Sequence, residues 1–458
     1  MERQKVLFAV GIVSFCMTVG IVGALAGCAP GQAADKNLAQ SGEVSAEETS
    51  PQTMEEWGEL YPLQFGSYAE GSIKEGKTVD EGNHEGHYDL KAKMLAPAVR
   101  VERADGQRDT KLVNPYGTFN EDYIIVEGVD YDPETGKWYV KDDKLRNLSD
   151  TRERKGCYAC KSSNFDEVYE REGAEIFTEK LDDEFIQEMN GQIWNCTTCH
   201  DGDPAANAPD AQLTYWTQLS RESFDKLDAK DRACGQCHNS LDYRSHITDQ
   251  ETMDSFSPYR YGFDVDSLYD AAIEDGVYSV DEDTGIVLSC FDHPDVELLQ
   301  GSVHSELGLT CVNCHMPTMT DAESGTEFTY HNASESPLAN ETALEYCLTC
   351  HKSQGIESTE AMRQMVKDRQ KEIEESVADY PDRFTAAYDA IKAAKDAGTV
   401  DEGTLQQARD AYSKAEAYFH AAQGGSVDGV KVAHNPEGIP AYYAQAGELL
   451  DQVMTTLA

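Results

Sequence analysis

A mainly α-helical, single-domain fold is what this 458-residue chain predicts, on three observations. Five Cys-x-x-Cys units succeed one another between Cys157 and Cys350 with no linker between them. Apolar residues are only 40% of the chain, little for a conventionally packed core. After residue 360, apolar residues recur at helical spacing.

The chain begins with a basic start (Arg3, Lys5), an apolar run from Val6 to Leu25 and the sequence Leu25-Ala26-Gly27-Cys28. Residues 1–27 therefore read as a signal peptide. Its end is similar to a bacterial lipobox, with Cys28 the lipidated first residue of the mature protein. An uncleaved membrane anchor is the alternative, because the apolar run is about long enough to span a bilayer. Either reading places the remainder outside the cytoplasmic membrane, on its periplasmic or extracellular side, and tethered to it. Residues 28–53 are polar, acidic and rich in small side chains, which predicts a flexible tether. Residues 54–458 form the expected domain. A net charge of −46 excludes nucleic acid as a partner and requires any anionic substrate to find a locally positive channel.

A Cys-x-x-Cys pair followed by His is the attachment signature of c-type haem. Four copies are present: Cys196–Cys199–His200, Cys234–Cys237–His238, Cys311–Cys314–His315 and Cys347–Cys350–His351. No pairing among them suits a zinc ribbon. The first unit, Cys157-Tyr158-Ala159-Cys160-Lys161, carries Lys in place of His. These units predict five covalently bound haem c groups around which the domain wraps, replacing much of the apolar interior. An amine ligand on one iron of five points to a haem whose opposite face is open to substrate. Lys161 must be deprotonated to serve, and burial and the metal both favour that. Of 13 Cys, ten sit in the motifs, leaving Cys16, Cys28 and Cys290. Of 12 His, four are proximal; the other eight suffice for four distal ligands and an active-site residue.

Short helices are expected at each motif. From Met362, apolar residues fall at Val366, Ile373, Tyr380, Ala387 and Ala394, and at Val377, Phe384 and Ile391. Pro381 predicts a break or kink in that stripe. A further helix spans about Glu402 to His420, with Gly398 and Gly424-Gly425 as stops. Little chain remains beyond to cover the stripe, so about residues 359–458 are expected to form a homodimer interface.

From about Trp57 onward the sequence resembles the pentahaem, ammonia-forming cytochrome c nitrite reductases. The resemblance is strongest at Cys234-Gly235-Gln236-Cys237-His238, from Ser257 to Ser267, and from His293-Pro294-Asp295 to Cys311-Val312-Asn313-Cys314-His315-Met316-Pro317. His434-Asn435-Pro436-Glu437 is similar to the family's His-x-Pro-Glu. The resemblance implies that His293 is the active-site His over the Lys-ligated haem. It implies distal ligands at His304, His331 and His434, and a fourth at His87, with His84 the alternative. It leaves His246 and His420 as ordinary packing or surface residues.

Three departures bear on the site. The family's His-x-Glu-Tyr after the third haem becomes His238-Asn239-Ser240-Leu241-Asp242-Tyr243, making Tyr243 the counterpart of the catalytic Tyr. The family's Lys-x-Gln-His becomes Cys290-Phe291-Asp292-His293. A calcium ion held around Asp242, Tyr243, Cys290 and Asp292 is one expectation, since carboxylates suit that ion; Arg244 in its place is the other. The catalytic Arg is assigned to Arg146, with Arg152 and Arg154 as rivals. The resemblance thus implies six-electron reduction of nitrite to ammonium at the Lys161-ligated haem, fed by four bis-His haems and by a membrane quinol-oxidising cytochrome c. A related reductase of hydroxylamine, sulfite or an organic acceptor is the alternative enzyme, and a pure electron-transfer cytochrome the non-enzymatic one.

Overall fold

A computed structural model describes residues 54–69, five strands between 98 and 151, and residues 154–458 apart from 181, 190–193, 241, 290, 292–293, 334, 399 and 424–429. The leader, the tether, His84, His87, Arg152, Cys290, Asp292, His293 and Gly424-Gly425 lie outside the described residues.

The chain is mainly helical, as expected. Strand occurs where no apolar alternation was legible. Before the first motif, Arg108–Leu112, Ala98–Arg103 and Leu145–Thr151 form an antiparallel sheet in that order, beside a hairpin of Val129–Asp132 and Lys137–Val140. Two short hairpins follow, Ser279–Val280 with Val287–Leu288 and Thr318–Thr320 with Glu327–Thr329. Both turn through the same device. Asp281 accepts hydrogen bonds from Thr284 N (2.8 Å) and Oγ1 (2.6 Å), and Asp321 accepts from Ser324 N (2.7 Å) and Oγ (2.6 Å). Gly285 and Gly325 follow at φ 79° and 71°, a region that favours glycine.

The motifs sit at helix boundaries, but not uniformly at helix starts. The first and second lie in 3-10 turns, Lys155–Tyr158 and Cys196–Thr198, and the fourth opens the helix Cys311–His315. The third and fifth instead end the helices Ala229–Gly235 and Glu341–His351. The N-terminal helices Met54–Leu60 and Pro62–Ala69 cover the second motif, with Met54 Sδ 3.9 Å from Cys196 Sγ and Tyr68 Oη donating to Trp194 O at 2.9 Å. An aromatic core joins the first three motifs. It includes Tyr158 edge-on to Phe185 (5.2 Å between ring centres) and Trp216 edge-on to Tyr259 (5.5 Å).

Pro381 marks a break: one helix ends at Ser376 and the next runs Tyr380–Ala397 with the proline in its first turn, where no backbone N–H is needed. Gly398 caps that helix in the left-handed region (φ 60°). The next helix, Glu402–Gln423, passes His420 by three residues. The expectation that the apolar stripe waits for a second copy is corrected. A last helix, Gly438–Leu457, lies along it within the same chain, and Leu450 and Val453 pack with Ala387, Ile391, Leu405 and Ala408. Tyr380 Oη donates to Tyr443 O at 2.7 Å across this contact. The seam is built from small residues, among them Ala408, Ala415, Ala446 and Gly447. A Cβ on Gly447 would meet Tyr380 Oη at 2.5 Å, so the helices touch nearly backbone to side chain.

Candidate functional site

The motif thiols form a connected series. Cys237 Sγ donates to Cys160 O at 2.5 Å, linking the third motif to the first. Hydrogen bonding between the Cys237 and Cys160 thiols, with the charges of Lys161 and Arg244, holds the Cys160 thiol well below its ordinary value against the effect of burial. The Cys234 and Cys311 thiols hydrogen-bond, linking third to fourth. Burial pushes Cys199 and Cys314 up to about 12, and each also senses a thiol of the next motif, Cys234 and Cys347. Thiols so buried are poor thiolate metal ligands. Among the described residues no group of three His, Cys, Asp or Glu could hold a metal ion.

The histidines come in pairs instead. His315 faces His434 with ring centres 6.0 Å apart, and His351 faces His304 at 6.4 Å. An imidazole nitrogen binds a transition metal at about 2 Å, so two imidazoles on opposite sides of one ion have centres about 6 Å apart. His331 lies near enough to His200 for their charges to repel. Several Nδ1 atoms are already committed: that of His200 donates to Asn207 O (2.8 Å), that of His304 to Ala433 O (2.9 Å) and that of His331 to Thr329 O (2.7 Å). Each leaves Nε2 as the ligating atom. Burial, aided by neighbouring histidines, lowers His315 and His331 to about 4, keeping them in the neutral form that binds metal. Paired imidazoles with no third protein ligand suit a planar macrocycle that supplies the remaining positions. The residues present therefore fit haem.

The first motif differs in its surroundings. Gly156 packs against Phe177, where a Cβ would fall 2.7 Å from the Phe177 carbonyl. Lys161 O accepts from Trp194 N at 2.8 Å, and Trp194 adopts φ 47°, an unusual conformation for a bulky side chain. Arg244 Nη1 lies 3.1 Å and Lys161 Nζ 3.7 Å from Cys160 Sγ, so a guanidinium and an amine meet at this attachment point. Tyr243 is buried and donates to Asp275 Oδ2 at 3.1 Å, itself paired with Arg260 Nη1 at 2.9 Å. Burial and Asp275 push the phenol above its usual range. Arg146 has its backbone in the strand Leu145–Thr151, Arg154 is exposed and bridges Lys180, and Asp242 opens the 3-10 turn Asp242–His246. His87, Cys290, Asp292 and His293 belong to the undescribed residues.

Sequence reasoning passed over two buried groups. Asp295 Oδ2 accepts from His238 Nδ1 at 3.0 Å, while its Oδ1 lies 2.7 Å from Lys431 Nζ and 3.4 Å from His434 Nδ1. Burial opposes ionisation of Asp295, but the hydrogen bond from His238, the nearby His434 and the charge of Lys431 outweigh it and hold the carboxyl well below its usual range. Glu297, 4% exposed, accepts through Oε1 from Ser240 N (3.0 Å), Ser240 Oγ (3.1 Å) and Tyr259 Oη (2.7 Å), while Oε2 has no hydrogen-bond partner among the described residues. Burial pushes its carboxyl up to about 7. Only Asp295 had a visible signal, standing in the His293-Pro294-Asp295 run.

A family model for cytochrome c552 matches residues 53–453. Cytochrome c-552 of Haemophilus ducreyi is 24% identical over 370 residues, covering 76% of this chain and 70% of the relative. That of Bacteroides fragilis is 27% identical over 372 residues, covering 76% of this chain and 65% of its own length. The catalytic subunit of cytochrome c nitrite reductase from Desulfovibrio desulfuricans, a structure with two calcium sites, superimposes with a TM-score of 0.61 over 90% of this chain and 87% of that one. At 16% identity that likeness is one of fold.

Proposed function

The chain belongs to the cytochrome c552 family, and from that premise we propose that it reduces nitrite to ammonium at the haem attached through Cys157 and Cys160. The observation that carries the reading is the contrast between motifs. Imidazoles face His315 and His351 at the separation one iron requires, and His331 stands near His200, whereas the first motif offers the amine of Lys161 beside the guanidinium of Arg244.

In this reading Lys161, His200, His238, His315 and His351, together with His331, His87, His434 and His304, would hold the haem irons, and the haems would supply the electrons for reducing the anion. Six electrons and eight protons turn nitrite into ammonium and two waters. Arg146 and His293 donate hydrogen bonds to the nitrite oxygens and polarise the N–O bonds, and His293 and Tyr243 deliver protons. The guanidinium of Arg244 gives an acidic protein a local positive charge that attracts the anion. Calcium near Asp242 and Asp292 is part of the proposal, supported by the calcium sites of the D. desulfuricans enzyme. So are lipid anchoring at Cys28 outside the cytoplasmic membrane, a quinol-oxidising cytochrome c as donor, and a homodimer.

The test is ammonium yield from nitrite with reduced viologen, joined to spectroscopy. The oxidised protein should show one high-spin haem beside four low-spin ones, with nitrite perturbing only the first. Lys161→Ala should collapse turnover while the other haems remain reducible. Uniformly low-spin haems together with full activity of Lys161→Ala would overturn the reading.

A further inference from the structure

Asp295 is the meeting point of two motifs that are otherwise separate in the chain. Its Oδ2 accepts a hydrogen bond from Nδ1 of His238, of the third motif, while its Oδ1 faces Lys431 and His434, and the His434 ring stands across from His315 of the fourth. The side chain is only 12% exposed, so water screens these contacts weakly. The backbone reinforces the placement, since Val296 N donates to His238 O at 3.2 Å and ties the start of the Asp295–Leu299 helix to the third motif. Lys431 and His434 share one segment, so cation and imidazole approach the carboxylate together.

A carboxylate that accepts an imidazole N–H makes that imidazole more electron-rich and stabilises the oxidised metal behind it. Potentials of haem irons respond to such outer hydrogen bonds and to local charge. With one oxygen toward each imidazole, a single negative charge acts on both, and the ammonium of Lys431 offsets part of it. We propose that Asp295 is a shared positioning residue that lowers and links the reduction potentials of the third and fourth haems, with Lys431 setting how strongly it does so. The proposal rests on the reading of His238 and His434 as axial ligands.

The test is a redox titration of the loaded protein, resolved haem by haem by paramagnetic resonance, with potentials rather than turnover as the readout. Asp295→Asn should raise the potentials of both haems, shifting the oxidised-to-reduced ratio at the parent midpoint on the order of tenfold, as for other outer ligands. The haems of the second and fifth motifs should not move. Asp295→Glu should return both toward the parent. Lys431→Met, which leaves every proposed ligand intact, should move the same two haems the opposite way; it also decides the matter if Asp295→Asn loads haem poorly. A change at one haem alone, or at neither, overturns the proposal. His434→Gly is the separate control: if it creates no new high-spin haem, the ligand reading itself has failed.

Discussion

Replacing Glu297 by Gln isolates the effect of one buried carboxyl on stability. The group is 4% exposed and burial raises it from 4.5 to about 7. Below about pH 4.5 folded and unfolded chains both hold the proton, so no penalty exists. Between 4.5 and 7 the unfolded chain releases it while the folded chain retains it, so stability falls as pH rises, and above 7 the loss is constant. At 1.36 kcal/mol per pH unit of displacement the loss amounts to about 3 kcal/mol. Gln keeps an oxygen to accept from Ser240 and Tyr259 and stays neutral throughout, mimicking the protonated acid. Denaturant unfolding of parent and Glu297→Gln, followed by tryptophan emission from pH 4.5 to 8, reads the difference. The other acidic groups titrate in both proteins and cancel. The variant should gain about 3 kcal/mol on the parent across that range; parallel profiles would refute the reasoning.

The proposed lipid anchor predicts that Cys28→Ser releases active protein from the membrane fraction, measured by haem absorbance after centrifugation; full retention would favour an uncleaved anchor. The proposed calcium predicts that exhaustive chelation lowers both the metal content by elemental analysis and nitrite turnover, with calcium restoring each. Activity that persists without calcium transfers the role to Arg244, whose guanidinium already lies 3.1 Å from Cys160 Sγ.

What was legible in the sequence is what chemistry forces to be local. Covalent attachment needs its thiols and first ligand within five residues, so all five motifs stand out. The stripe from Met362 and the break at Pro381 were legible because a long helix repeats its signal over several turns. The strands of two or three residues were not, since alternation cannot establish itself over so short a run. The last helix was not anticipated; Pro440 falls in the first turn of Gly438–Leu457, where proline is tolerated. Three members of the cluster of His238, Asp295, Lys431 and His434 stood in recognisable runs, but nothing in the sequence showed that they meet. The cluster's members are spread over nearly two hundred positions, and only the folded chain brings one carboxylate between them.

The alanine and glycine seam of the C-terminal helices carries a consequence for how this region can change. Where the helices meet at Ala408, Ala415 and Gly447, added volume has little room, since both alanines are fully buried and a Cβ on Gly447 would meet Tyr380 Oη at 2.5 Å, whereas charged side chains on the outer faces such as Lys371 and Glu375 are largely exposed. Tolerance to substitution should therefore rise and fall with the helical turn, and libraries built for solubility or surface attachment belong on the outer faces. Any redesign of the seam must exchange residues on both helices at once, because neither side can enlarge alone.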